Sequence, residues 1–307
     1  YFAHLEADPY GFNDVAYDWP QDTRFALATA AFYATVLCGV LGMVRAGILP
    51  TFNPESLGYF AGALVLLFVG KCFFSWLVLH FRIKINYVRK LGLRPWKKLI
   101  AFVVPLLITR GESVVTDWIV LFSIQGLTGL LTESYVMRRR VRLFAFAYVS
   151  WDRIEDRPYS MRYDQIEDIL RFAIYLPFMI LFGKSSAIIL IPNLVNQFAD
   201  GLAEPVGLRF GKHKYRTRAL WHNGRIWAGQ FVRSLEGIST VLIVSGVVLC
   251  GYQFLSAVPV FTPEQFLVAM AVMPLGLTLA EAVSPHTCDG PLMALSGCGL
   301  LLGIFSL

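Results

Sequence analysis

Charge is scarce in this chain. Only 16% of its 307 residues are Asp, Glu, Lys or Arg, where a soluble domain carries about 25%. An ordinary soluble enzyme fits that composition poorly. Cysteine is scarce as well. The five cysteines (Cys38, Cys72, Cys250, Cys288 and Cys298) are scattered and include no CxxC, which argues against a disulfide scaffold. No His/Cys cluster has zinc spacing, no G-x-S-x-G nucleophile elbow is present, and no Walker A motif occurs. The GxG at 297–299 sits in a terminal apolar run rather than after a strand, so it reads as packing. No signal peptide is visible. There is no long internal repeat and no low-complexity tract.

Apolar residues are abundant. They make up 56% of the chain, and the mean hydropathy is +0.57. Residues 25–44 carry no charge, which is enough helix to cross a hydrocarbon core about 30 Å thick. Residues 57–81 form a second run, interrupted only by Lys71, a charge that should face protein or water rather than lipid. Further runs cover 99–109, 113–132, 171–183, 185–199, 238–255, 264–283 and 290–307. Those at 99–109, 171–183 and 185–199 are short and read as tilted, broken or re-entrant. The expectation is an all-α polytopic membrane protein of about nine spans.

Basic residues bear on that count. Segments 82–98, 133–143 and 209–233 hold two thirds of the 27 lysines and arginines. Nine spans put all three on one side of the membrane with the N-terminus, as the positive-inside bias requires. The net charge of +6 then reflects basic loops facing anionic lipid or nucleotide phosphates rather than nucleic acid. Residues 1–23 have five acids, no Lys or Arg, and several aromatics, and read as a surface arm or a partner contact. Residues 144–170 read as an interfacial amphipathic segment broken at Pro158. The chain thus divides into an arm (1–23), an N-terminal membrane region (24–170) and a C-terminal membrane region (171–307).

Polar chemistry concentrates between Asn196 and Gly237. Asp200 and Glu204 lie four apart, so on a helix they share a face and can hold a divalent cation through oxygen. Gly201, Gly207 and Gly211 follow, then Lys212, His213, Lys214 and Arg216. Glycines let a backbone approach a ligand, and the cations can neutralise phosphate oxygens. A nucleoside triphosphate site needs these parts. Each also has a plainer reading. Gly207 and Gly211 match a GxxxG helix contact, and the basic run matches a topology signal. Asp117, inside a span, either lines a cavity or pairs with Lys71 or Arg110. His80 and His222 read as interfacial.

The run DGLAEPVGLRFGKHKY at 200–215 and RSLEG at 233–237 resemble the C-terminal signature of the CTP-dependent lipid kinases. That family includes dolichol or polyprenol kinase, phytol kinase and the CTP-using diacylglycerol kinase, and is related to the CDP-diacylglycerol synthases. Asp200, Ala203, Glu204, Gly207, Gly211 and Lys212 match the first half of the pattern. Arg233, Ser234, Glu236 and Gly237 match the second, with Arg in place of the usual Lys. AEAVSPHTCDGPLM at 280–293 resembles the late E-x-x-S…D-N element through Glu281, Ser284 and Asp289, with Gly290 where Asn is common. The synthase branch carries a Lys-Arg pair and an Asp-Arg in its late element. Both are missing here, although Pro285, His286 and Asp289 are present.

The resemblance implies CTP as phosphoryl donor, Mg2+ or a similar ion as cofactor, and a membrane lipid alcohol as acceptor. It implies metal ligation by Asp200 and Glu204, and a triphosphate clamp of Lys212, Lys214, Arg216 and Arg233, with Gly207 and Gly211 beside the nucleotide. Glu236 becomes a second metal ligand or base. Asp289, with His286 as the lesser candidate, orients the lipid hydroxyl. The alternatives are a CDP-lipid synthase and a non-catalytic relative acting as a subunit of a membrane complex. A transporter fits less well, because the charges cluster at one face rather than at midplane. A homo-oligomer or another membrane partner is compatible with the sequence. Bacterial inner membrane, endoplasmic reticulum and plastid membrane all fit.

Overall fold

Helix ends in this protein are set by short local signals. Asn53 accepts a bond from the Glu55 N–H, Pro54 occupies the first turn, and Arg82 closes the same helix in the left-handed region at φ 53°. Each device satisfies or avoids an orphan backbone group at a helix terminus. Thr262 and Gln265 form a reciprocal capping box ahead of another long helix, again with Pro in its first turn. Ser234 caps a third through the Gly237 N–H, at 3.1 Å.

The computed structural model describes residues 19–93, 96–97, 114–152, 159–183, 187–218, 221–222, 225–227, 231–256, 259–286 and 288–307. Most of the acidic arm, the apolar run 99–109, and Arg94, Lys98, Arg110, Pro158 and Lys184 lie outside them. About 82% of the described residues are helical, and the chain divides into two units, 1–166 and 167–307.

Unit 1 contains α1 (Trp19–Arg45), α2 (Pro54–Phe81), a short α3 (Ile85–Tyr87) continued by a π-helical turn (Val88–Leu93), α4 (Val114–Glu133), α5 (Tyr135–Arg140), α6 (Arg142–Tyr148) and the first turns of α7 (Ser160–Phe182). Asp117 at the start of α4 meets Asn53 and Ser56 at the start of α2. Glu133 at the end of α4 meets Lys71. The two helices therefore run parallel, and the connection between them has to return. Its described part does so along α2. Val78 packs with Ile85 and Val88, Phe74 lies on Gly92, and the Trp96 indole donates to the Leu66 carbonyl at 3.2 Å. Sequence reading makes 82–98 a basic loop. Instead Ile85, Val88, Arg89 and Leu93 are buried, while Arg82, Ile83, Lys84 and Leu91 stay exposed. Lys71 takes Glu133 as its partner rather than Asp117, and Arg110, the other cation expected beside Asp117, lies outside the described residues. Asp117 accepts from the Asn53 N–H and the Ser56 hydroxyl, because parallel helices keep residues 71 and 117 at opposite ends.

Unit 2 holds the rest of α7, then α8 (Ala187–Phe210), β1 (Lys214–Thr217), β2 (Trp221–His222), β3 (Arg225–Ile226), β4 (Phe231–Ser234), α9 (Leu235–Leu255), α10 (Pro263–Val283) and α11 (Asp289–Phe305). Each of α8 to α11 packs on the next, and α11 closes back on α8. Prolines inside the helices leave carbonyls without their usual donor. Pro192 frees the Ile188 carbonyl, which accepts instead from the Cys298 thiol at 3.2 Å. Gly297 of α11 fits against the same proline, where a Cβ would lie 2.6 Å from the Pro192 ring.

Two features differ from the sequence expectation. β1 pairs antiparallel with β4 and β2 with β3, as a nested hairpin among the described residues, so the molecule is not purely helical. Among the described residues, five helices are long and apolar enough to cross a membrane: 22–45, 54–81, 115–133, 235–255 and 263–283. Residues 289–305 form a shorter apolar helix. The runs at 171–183 and 185–199 continue into charged turns, α7 beginning at Ser160 and α8 ending at Phe210. The result is a helical membrane protein with five candidate spans among the described residues, and the expected count of nine is not confirmed.

Candidate functional site

The C-terminal ends of α8 and α10 and the N-terminal ends of α9 and α11 gather at one end of unit 2, with the hairpin. Arg233 is the hub. Its Nη1 donates to the Glu281 carbonyl, lies 3.2 Å from Glu281 Oε1 and 3.4 Å from the Ser284 hydroxyl. Its Nη2 is 3.6 Å from Asp289 Oδ2. Two stretches far apart in sequence thus meet at one guanidinium. Burial works against the Arg233 charge, but Glu281 and Asp289, helped by Tyr215, outweigh it and hold its pKa above the usual arginine range. Tyr215 faces Arg233 across the hairpin. Burial raises its phenol pKa, Glu281 adds to the rise, and Arg233 opposes it.

The first half of the motif borders this hub. Asn196 donates to the Gly290 carbonyl at 3.2 Å, which brings α8 to the start of α11 beside Asp289. One turn on is Asp200, and a further turn is Glu204. Both are half-buried. Just beyond, α8 and α9 approach closely. A Cβ on Gly207 would lie 2.8 Å from the Ser234 hydroxyl, and one on Gly237 would lie 2.8 Å from the Ala203 carbonyl. A Cβ on Gly211 would also meet Ser234 at 2.8 Å. The Gly207 and Gly211 positions are therefore explained by helix contact, the plainer of their two readings. Gly207→Val is expected to cost about 1–3 kcal/mol through overpacking, measurable as a lower thermal midpoint in detergent.

Glu236 sits in the first turn of α9, where its carboxylate accepts from the His213 N–H at 3.2 Å and pairs with His213 Nδ1 at 2.8 Å. The partnership closes the base of the hairpin beside Lys212. His286 does a similar job on the other side. Its N–H donates to the Arg218 carbonyl at 2.8 Å, and its buried ring stacks on Phe231 at 4.0 Å. It fastens the hairpin to the α10–α11 turn.

The pleat separates the expected clamp. Tyr215 and Arg233 are cross-strand partners and share a face. Lys214 and Arg216 alternate with Tyr215 and are exposed, so they stand on the opposite face from Arg233. Lys212, also exposed, precedes the strand.

Sequence reading assigned no role to several residues at this end. Asn196 opened the polar stretch but passed as part of an apolar run. Arg171 pairs with Glu167 one turn earlier on α7. A Cβ on Gly290 would lie 2.9 Å from Glu167 Oε1 and would also crowd the Arg171 guanidinium. The absence of a side chain at 290 is what admits that ion pair beside Asp289. The only sequence signal was a lone cation heading an apolar run.

No family model, no curated protein and no solved structure matches the chain. The kinase resemblance therefore rests on its motif residues and on what their geometry supports. Among the described residues, no three His, Cys, Asp or Glu side chains are placed to share a metal ion. Two carboxylates one turn apart fit a different demand. Mg2+ is usually bound through one or two carboxylates plus the phosphates of its nucleotide, and Asp200 with Glu204 supplies such a pair.

Proposed function

We propose that the chain is a CTP-dependent lipid kinase that moves the γ-phosphoryl group of CTP to the hydroxyl of a membrane lipid alcohol. The observation that supports this most is the bridge from Arg233 to Glu281, Ser284 and Asp289. These residues belong to two of the three sequence elements that resemble the family, and Asn196 ties the third to them through Gly290.

Phosphoryl transfer asks mainly for positioning and charge neutralisation. Asp200 and Glu204 would hold Mg2+ arriving with the nucleotide, which would supply charge neutralisation at the phosphate oxygens. Arg233 is fixed by Glu281 and Ser284, and its longer contact to Asp289 is the one a phosphate displaces. That exchange frees Asp289 to accept a hydrogen bond from the acceptor hydroxyl and orient it in line with the γ-phosphorus. An interfacial site keeps the acceptor's tail in lipid while its hydroxyl meets a water-soluble donor.

The test is product analysis. Purified protein is incubated with Mg2+, γ-labelled CTP and a panel of polyprenol, phytol and diacylglycerol. Label in a lipid, with release of CDP, is the expected result. A phosphatidic acid acceptor that releases pyrophosphate instead assigns the CDP-lipid synthase alternative. Neither product from well-folded protein assigns the non-catalytic subunit. Asp200→Asn is expected to lower lipid phosphorylation about 100-fold or more, the scale of losing one strong electrostatic contact to transferring phosphate, with the thermal midpoint little changed. A normal rate in that variant overturns the metal assignment.

A further inference from the structure

A second charged cluster lies in unit 1, and the kinase reading makes no use of it. Three cations surround one indole. Lys71 Nζ is 5.6 Å, the Arg89 guanidinium carbon 4.8 Å and Lys97 Nζ 4.5 Å from the Trp151 ring centroid. All are within cation–π range. Two carboxylates answer them. Glu133 holds Lys71 at 2.8 Å. Asp164 accepts from the Trp151 indole N–H and lies 3.6 Å from Arg89 Nη2, which is long for a hydrogen bond. Asp152, next along the chain, accepts from the Ser160 hydroxyl at 3.2 Å. The Arg89 side chain is only 5% exposed, yet its Nε and Nη1 have no acceptor among the described residues. Leu93, Tyr148 and Trp151 wall the site, with Phe74 and Trp96 packed behind them.

Burying a guanidinium with idle donors is costly. Cations held in a membrane protein's interior ordinarily have a partner that explains them. Helix α4 has 20 residues, about 30 Å at 1.5 Å per residue, the thickness of a hydrocarbon core. Glu133 is its last residue. By the length of α4, the Trp151 cluster lies toward one end of that span, while α2 continues past Lys71 to Phe81.

We propose that Lys71, Arg89 and Lys97 around Trp151 form a binding site for a phosphate group, either a lipid phosphomonoester or the free anion. A phosphate carries up to two negative charges and several acceptor oxygens. It can take the idle Arg89 donors and a lysine at once. The proposal is independent of the chemistry in unit 2.

The test uses the full chain in detergent and in vesicles. Thermal unfolding is followed against inorganic phosphate, with chloride at matched ionic strength as control. In parallel, the midpoint is compared in phosphatidylcholine vesicles with and without phosphatidic acid. A saturable shift with inorganic phosphate identifies the free anion as a ligand, and a shift confined to phosphatidic acid identifies the lipid. Arg89→Gln and Lys97→Gln are each expected to weaken the effect about tenfold or more, the scale of one charge-assisted hydrogen bond. Lys97 is only half-buried, so its variant serves if Arg89→Gln fails to fold. No saturable shift in either arm, or shifts equal to wild type in the variants, overturns the proposal.

Discussion

Arg233→Ala is expected to destabilise unit 2 by about 3 kcal/mol or more, the scale for removing one partner of a buried ion pair. The reason is what it leaves behind. Glu281 is buried, its carboxylate lies 3.2 Å from Arg233 Nη1, and Asp289 is repelled by it once the guanidinium is gone. The Ser284 hydroxyl, which donates to the Glu281 carbonyl at 2.9 Å, cannot neutralise either acid. Chemical unfolding in detergent, followed by near-ultraviolet circular dichroism, measures the loss. Arg233→Lys is expected to recover only part of it. An ammonium is a point charge and cannot reach the Glu281 backbone, the Glu281 carboxylate and Asp289 together. Adding Glu281→Gln to Arg233→Ala is expected to restore stability, because the orphaned charge is removed. If the single variant unfolds like wild type, Arg233 is not the hub of this end, and the proposed convergence of motif elements falls with it.

Glu133→Ala is expected to produce an effect of similar or larger size in unit 1, about 3–5 kcal/mol. Lys71 and Glu133 meet at 2.8 Å with side chains only 7% and 5% exposed. Removing the carboxylate strands an ammonium deep between α2 and α4. The companion variant Lys71→Met with Glu133→Leu removes both charges and keeps volume. It is expected to lie within about 1–2 kcal/mol of wild type, since a buried pair gains little net stability over well-packed apolar groups. The contrast between the two separates a desolvated pair from a surface one, for which both changes would be worth less than about 1 kcal/mol.

Several parts of the site were readable before any coordinates. Asp200 and Glu204 share a helix face because four residues make roughly one turn. Their joint placement follows from spacing alone. The apolar run at 238–255 marks the body of α9. Other parts were not readable. The alternation that turns Lys214 and Arg216 away from Arg233 requires a strand at 214–217, and a run rich in Lys and Arg does not announce one. The fit of Arg171 and Glu167 beside Gly290 depends on α7 lying against the start of α11. A missing side chain at 290 looks, in sequence, like a departure from a motif rather than room for an ion pair. Gly207 and Gly211 suit a nucleotide or a helix neighbour equally until Ser234 and Gly237 are seen against them.

The amino-acid order alone determined where the long apolar helices run and where most of them stop. Hydropathy and capping act through neighbours within a turn or two, so they survive in one dimension. Tertiary structure alone decided which charges became partners: Lys71 with Glu133 rather than Asp117, Arg89 beside Trp151 instead of in a solvent loop, Arg233 with Glu281 and Asp289. A charge buried among helices takes whichever opposite group the direction and depth of those helices bring to its level, and neither is encoded near the residue itself.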